Sequence, residues 1–195
     1  VILLAGPTSS GKSKLAIKLS EHFNGEIINA DSMQIYKEIS ILTSRPNKLD
    51  EKKIKHHLYG FNSVKNKFST GHWLKMALEK IEEQWNYSKT PIVVGGSGLY
   101  FKALTDGLVK IPDIPENIRL EVRTLHKKLG QKIFFAQLNK IDSLVKNLIL
   151  PSDVQRSMRA YEVKKFTGKS LFELIKETKP NFNQKVFKKL FINTP

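Results

Sequence analysis

The segment GPTSSGKS (6–13) holds a glycine, four intervening positions, then a glycine, a lysine and a hydroxyl residue. Gly6 and Gly11 permit tight turns, so backbone N–H groups of Thr8, Ser9 and Ser10 and of a following helix start can converge on phosphate oxygens. Lys12 neutralises charge there and Ser13 offers an oxygen to Mg²⁺. Gly6, Pro7, Thr8, Ser9, Ser10, Gly11, Lys12 and Ser13 therefore form a candidate phosphate cradle. A chance match in a chain of this make-up is on the order of 1 in 100 before its context is considered, so a plain glycine turn is the weaker alternative. The pattern speaks for phosphate without choosing a phosphate compound.

Asp31 closes EIINAD (26–31), a short apolar run of strand type. In parallel α/β sheets ligands bind beyond the carboxyl ends of strands, so Asp31 is expected to face the cradle. It could ligate Mg²⁺, accept a proton from a nucleophile, or cap the turn from Ser32 to Tyr36. Gly95, Gly96, Ser97 and Gly98 make a second glycine turn after PIVVGG (91–96), which brings the Ser97 hydroxyl to the same sheet edge. A mere tight turn is the alternative there.

The chain has 33 basic residues, yet arginine occurs at only five positions, two of them in QRSMR (155–159). At about 100° per residue on a helix, Gln155, Arg156 and Arg159 share an arc, while Val154, Met158 and Tyr161 take the other side. Guanidinium forks suit phosphates and bases, although a solvated face would look the same. Ser152 or Asp153 is placed to cap this helix and Gly168 to end it. His56 and His57 are sequence neighbours whose side chains diverge in regular structure, with no nearby carboxylate at ligand spacing, so they are not taken as metal ligands. Trp73 and Trp85 are expected in the core.

These side chains need a scaffold. VILLAG (1–6), EIINAD and PIVVGG are short and nearly all apolar, and amphipathic helices over 11–23 and 70–87 separate them. Such strands belong to a parallel sheet covered on both faces. HLYGF (57–61) is expected to add a brief strand, 36–55 to be loop, and KLFINT (189–194) to return to the sheet. From residue 112 to residue 180 only helical spacing is found, such as Ile118, Val122, Leu125 and Leu129. The expected fold is α/β, a P-loop NTPase-like parallel sheet flanked by helices, with an all-helical insert. Its divisions are a core over 1–111, an insert over 112–180 and a return to the core over 181–195.

With 195 residues, 40% apolar, the chain can bury a core, which excludes collagen-like and wholly disordered classes. Its net charge of +15 favours a polyanionic partner. Residues 101–195 hold 19 basic and 9 acidic side chains, against 14 and 9 in residues 1–100, so the insert half is the expected polyanion face. Absent cysteine excludes a disulfide scaffold, thiolate zinc and a cysteine nucleophile. Apolar runs are too short to span a bilayer and no signal peptide opens the chain, so a soluble protein is expected; the absence of cysteine suits the cytoplasm, and since nothing demands a dimer a monomer is expected. Opening on Val1 inside a strand pattern and stopping soon after another is expected of a partial chain.

GPTSSGKS, DSMQIYK (31–37), TSRPN (43–47), HHL (56–58), GGSGLYFKAL (95–104) and DVQRSMRAYEV (153–163), in this order and spacing, closely resemble the tRNA dimethylallyltransferase (tRNA isopentenyltransferase) family. The resemblance runs from Val1 to Pro195. It implies transfer of a dimethylallyl group from dimethylallyl diphosphate to N6 of the adenosine immediately 3′ of the anticodon in tRNA, releasing diphosphate. The cradle would then hold an isoprenoid diphosphate rather than the tail of ATP, with Lys12, backbone N–H groups and Mg²⁺ at Ser13 stabilising the leaving group. Asp31 would aim the amine and take its proton, while Ser32, Met33 and Gln34 hold the base. Ser97 stands where the family has a threonine near the reacting groups, which keeps the hydroxyl and loses a methyl. Arg119 and the run Gln155, Arg156, Ser157, Met158 and Arg159 match positions that contact tRNA. The family's chain continues with further helices that also contact tRNA. A P-loop small-molecule kinase, with Arg156 and Arg159 as lid arginines, is the main alternative, and a nucleotide-gated RNA-binding module is the other.

Overall fold

A computed structural model describes residues 1–193. They divide into two compact units, one of residues 1–108 with those from Pro180 onward, the other Val109–Lys179.

The first unit holds a five-stranded parallel sheet, β1 (Ile2–Ala5), β2 (Gly25–Asn29), β3 (His56–His57), β4 (Thr90–Gly95) and β5 (Lys188–Phe191), in the order β3-β2-β4-β1-β5. Alternation along each strand sorts the core. Leu3, Ile28 and Val93 face α3 (Thr70–Asn86) and α4 (Gly98–Asp106) and pack with Trp73, Ala77, Ile81, Ala103 and Leu104. Leu4, Ile27, Ile92 and Val94 face α1 (Lys12–His22) and pack with Ala16. Each large aliphatic side chain so buried contributes roughly 1.5–3 kcal/mol. That double cover is why the inner strands read as continuous apolar runs.

Three local expectations are corrected. Residues 48–53 are not loop but the short helix α2 (Lys48–Lys53), capped by the Asn47 side chain, which accepts from Leu49 and Asp50 N–H at 2.8 and 3.0 Å. It buries no residue, so no apolar period announced it. The strand expected over 57–61 stops at His57, because Leu58 (φ 63°) and Gly60 (φ 52°) turn the chain out of the ladder. At Gly60 the left-handed backbone favours glycine, and a Cβ there would lie 1.9 Å from the Arg45 guanidinium, which would have to move aside. Trp85 lies at the rim of α3, 38% exposed, with its ring edge-on to Phe182, whereas Trp73 is fully buried. β5 runs parallel to β1 as an exposed sheet edge, and Thr194 of the expected strand lies outside the described residues.

The second unit is helical. It comprises α5 (Glu116–Ile141), α6 (Val154–Thr167) and α7 (Leu171–Lys176), with a 3-10 turn at Ser143–Asn147. Gly130 (φ 72°, ψ 162°) divides α5 into two segments. Asp153 caps α6 by accepting from Arg156 N–H at 3.0 Å, and Gly168 ends it in the left-handed conformation. Phe135, Leu138, Val145, Ile149 and Ala160 form the unit's core.

Candidate active site

The cradle occupies the turn from β1 into α1. Gly11 adopts φ 84° and Ser9 φ 64°, which winds the loop before the first helical N–H groups. Gly6 is tight for another reason: a Cβ there would stand 2.9 Å from the Ile192 carbonyl, on the segment that follows β5. Lys12 Nζ donates to the Pro7 carbonyl, so the ammonium folds back over the loop. Burial lowers its pKa from the usual lysine value, opposed by the negative charge of Asp31. An arriving anion would strengthen its hold on the proton. Ser10 Oγ is buried with no hydrogen-bond partner among the described residues.

A cavity of about 710 Å³ joins the cradle to β2. Thr8, Ser9, Ser10, Gly11, Lys12 and Ser13 line it together with Asp31, Met33 and Gln34. Gly6 and Pro7 shape the loop without lining the cavity. The backbone of Asp31 is fixed by Asn29, whose Oδ1 accepts from Asp31 N–H at 2.8 Å. Asp31 Oδ1 accepts from Met33 N–H at 2.9 Å, so the turn role expected as one possibility is real for one oxygen. The other oxygen has no hydrogen-bond partner among the described residues. Gly95 must lack a side chain, since a Cβ would come 2.1 Å from the Ala30 carbonyl group, and at Gly96 the nearest atom to a Cβ would be Asp31 Oδ2 at 3.8 Å. The glycines thus keep β4 close to β2 and the approach to Asp31 open.

Ser97 is tied to the same strand end. Its N–H donates to the Ala30 carbonyl at 3.1 Å, and its Oγ accepts from Ser32 N–H at 2.8 Å and donates to Ser32 Oγ at 3.1 Å. Ser32 and Ser97 line a second cavity of about 290 Å³ with Ile35, Tyr36, Phe68 and Tyr100. The Gln34 amide donates to the Thr43 carbonyl at 2.7 Å and so holds the 36–47 loop over the larger cavity.

Two contributors were not foreseen. Tyr59 lines the larger cavity, and burial, with the Asp31 charge next, raises its pKa, so the phenol stays a proton donor. Asn29 is fully buried and orders the turn that carries Asp31. The only sequence signal for Tyr59 was its place just after HHL, and for Asn29 its place two residues before Asp31. One of the two histidines also has a carboxylate partner. His57 Nε2 lies 2.6 Å from Glu26 Oε2 across the β2–β3 ladder, a pairing that 31 residues of separation concealed.

The tRNA candidates Arg119, Gln155, Arg156, Ser157, Met158 and Arg159 lie in the helical unit. Gln155 and Arg156 are exposed, and Arg156 sits 3.5 Å from Asp153. Arg159 pairs with Glu162 at 3.4 Å and Arg119 with Glu116 at 3.8 Å. Met158 is half-buried, and Ser157 is fully buried, its hydroxyl donating to the Asp153 carbonyl at 2.6 Å. Ser157 therefore presents no side-chain surface. No helix among the described residues is long and apolar enough to cross a membrane.

A parallel sheet with a phosphate-type loop between its first strand and first helix, flanked by helices and accompanied by a helical unit, is a P-loop NTPase-like fold. A sequence model described as IPP transferase matches residues 34–194. The chain is 53% identical over 194 residues to the tRNA dimethylallyltransferase of Pelagibacter ubique, covering 100% of this chain and 62% of that protein. It is 46% identical over 197 residues to that of Rickettsia massiliae, covering 99% of this chain and 53% of that one. A eukaryotic dimethylallyltransferase crystallised acting on tRNA superposes with TM-score 0.83 at 29% identity, over 98% of this chain and 48% of that one. The tRNA isopentenylpyrophosphate transferase of Bacillus halodurans gives 0.56 at 31% identity, over 86% and 56%. The chain belongs to the IPP transferase family, and it spans between half and two thirds of the length of these curated relatives.

Proposed function

We propose that this chain carries the catalytic core of a cytoplasmic, monomeric tRNA prenyltransferase. It moves the dimethylallyl group of dimethylallyl diphosphate to N6 of the adenosine immediately 3′ of the anticodon and releases diphosphate. The observation that carries this reading is the Asp31 carboxylate sharing one cavity with the phosphate cradle, its Oδ2 without a hydrogen-bond partner among the described residues.

In the reaction the bond between C1 of the prenyl group and the diphosphate oxygen breaks, and a bond from N6 to C1 forms. The pair of electrons leaves with diphosphate, and the N6 proton passes to Asp31. The adenine amine is a poor nucleophile because its lone pair is delocalised, so a carboxylate that accepts its N–H both aims it and removes the proton. Lys12 and the backbone N–H groups of the cradle stabilise charge as it grows on the leaving group. The Ser10 hydroxyl, buried without a partner among the described residues, gains one when phosphate enters. Ser32, Met33, Gln34 and Ser97 shape the nucleotide side. Extruding one base from an anticodon loop costs less than from a duplex.

Mg²⁺ fits this donor set as an ion carried on substrate phosphates. Ser13 lines the cavity, and the described residues contain no group of three or more His, Cys, Asp or Glu side chains able to cage a metal. Bound there by Ser13, it would supply charge stabilisation to the leaving diphosphate. Arg119, Gln155, Arg156 and Arg159 are proposed as tRNA contacts, and the helical unit, with 15 basic and 8 acidic residues among Val109–Lys179, suits a phosphate backbone.

The test uses unmodified tRNA, Mg²⁺ and labelled dimethylallyl diphosphate, with ATP omitted. Label is expected in the tRNA. ATP turnover on a small acceptor without label transfer would move the protein to the kinases, and tight RNA binding without product would leave it a binding module.

A further inference from the structure

We propose that Asn29 is a positioning residue for the reaction, acting through Asp31; this rests on the reading of Asp31 as the base. Asn29 is the last residue of β2 and is fully buried. Its side chain satisfies three backbone groups at once. Oδ1 accepts from Asp31 N–H at 2.8 Å, while Nδ2 donates to the Asp31 carbonyl and to the Leu58 carbonyl, each at 3.0 Å. The amide has only one useful orientation here, because an N–H needs the oxygen and two carbonyls need the NH₂. Its own carbonyl accepts from Trp73 Nε1 at 2.7 Å, and Trp73 stacks on Tyr100 with centroids 4.2 Å apart.

The need for this clamp comes from topology. β3 leaves the ladder at Leu58, so past Asn29 the N–H and C=O of Asp31 no longer meet a strand on that side. Buried backbone groups require partners, and the Asn29 amide supplies both. With its backbone held from both ends and Oδ1 spent on Met33 N–H, Asp31 keeps one rotamer and turns Oδ2 toward the space beside Gly96. Asn29 thereby aims an oxygen without touching substrate. A shift of about 1 Å at a reacting atom costs on the order of 100-fold in rate, which makes such a clamp consequential.

Asn29→Ala removes all three hydrogen bonds. Asn29→Ser leaves a short hydroxyl that can still accept from the N–H two residues on. Steady-state kcat and KM for dimethylallyl diphosphate, with melting temperature recorded for each variant, separate aiming from folding. The expected result is a fall in kcat of about 30-fold for Asn29→Ala and a smaller fall for Asn29→Ser, with KM for the diphosphate within about 2-fold of the parent, since the cradle is untouched. An unchanged kcat in a folded variant, or a rise in KM matching the loss of kcat, overturns the proposal. If Asn29→Ala does not fold, Asn29→Ser decides alone by the same criterion. Asp31→Asn is run alongside. Should it keep the parental rate, the base falls and this proposal with it; should it be slow while both Asn29 variants are fast, only the role of Asn29 falls.

Discussion

Two carboxylates belong to one strand region, Glu26 near the start of β2 and Asp31 just past its end, and their surroundings differ in kind. Both oxygens of Glu26 are taken: Oε2 by His57 at 2.6 Å, Oε1 by Lys89, with Lys55 4.0 Å away. Burial by itself would raise the Glu26 pKa, but hydrogen bonds from Lys89 and His57 outweigh it and hold the group below the usual carboxylate range. Asp31 spends one oxygen on a turn and leaves the other beside a cavity that also holds a lysine and a phosphate-type loop. A satisfied carboxylate stabilises the native state, whereas one with spare acceptor capacity is available for chemistry. Both are carboxylates of one strand region; the count of partners separates them.

The largest expected effect falls on the open carboxylate. Asp31→Asn keeps size and the turn acceptor but cannot take a proton, so the single-turnover rate should fall by about 100-fold or more with melting temperature and diphosphate affinity nearly unchanged. A parental rate would remove the distinction between the two carboxylates.

Glu26→Gln should do the reverse. It leaves His57 buried beside a neutral amide and loses the charge partner of Lys89, costing about 1–2 kcal/mol of stability, a figure kept low because Lys89 and Lys55 are partly exposed. The rate per folded molecule should hold. A slowed reaction in a stable Glu26→Gln protein would show that the cluster reaches the site.

A smaller effect is expected from pH. Burial lowers the His57 pKa against the raising influence of Glu26, with Lys55 and Lys80 pushing the same way as burial. A folded-state pKa below the unfolded one stabilises above the unfolded pKa, near 6.5, and loses that stabilisation as pH falls through the folded value. Glu26, also lowered, adds a second loss below about pH 4.5. Chemical denaturation between pH 7.5 and 5.5 should show a decline under about 1 kcal/mol, absent in His57→Gln. A parent that gains stability on acidification would contradict the lowered His57 pKa.

The helical unit is where chemistry should change least. Arg156→Ala with Arg159→Ala should weaken tRNA binding and reduce its salt dependence by roughly one unit of log–log slope for each phosphate no longer neutralised, with the chemical step on bound tRNA unaltered. Equal slopes for variant and parent would mean that these arginines meet no phosphate.

Local chemistry explains how much was legible in advance. The cradle could be read because glycine spacing, the lysine and the strand-to-helix context lie within eight consecutive residues, and the caps of α6 because Asp153 and Gly168 act on their own neighbours. α3 was legible because Trp73, Leu74, Ala77 and Ile81 bury one helical face. What escaped depends on partners distant in sequence. Glu26 meets His57 only through the β2–β3 register, Trp85 sits at the rim because of where its helix ends, and Tyr59 enters the cavity because Leu58 and Gly60 turn the chain.

Sequence alone determined the longer helices, the inner strands and the strand-to-helix setting of the glycine loop, since backbone propensity, apolar period and glycine placement act over a few residues. Only tertiary structure decided which carboxylate keeps an oxygen to spare, because hydrogen-bond satisfaction is counted across strands, and strand order is a property of the folded chain.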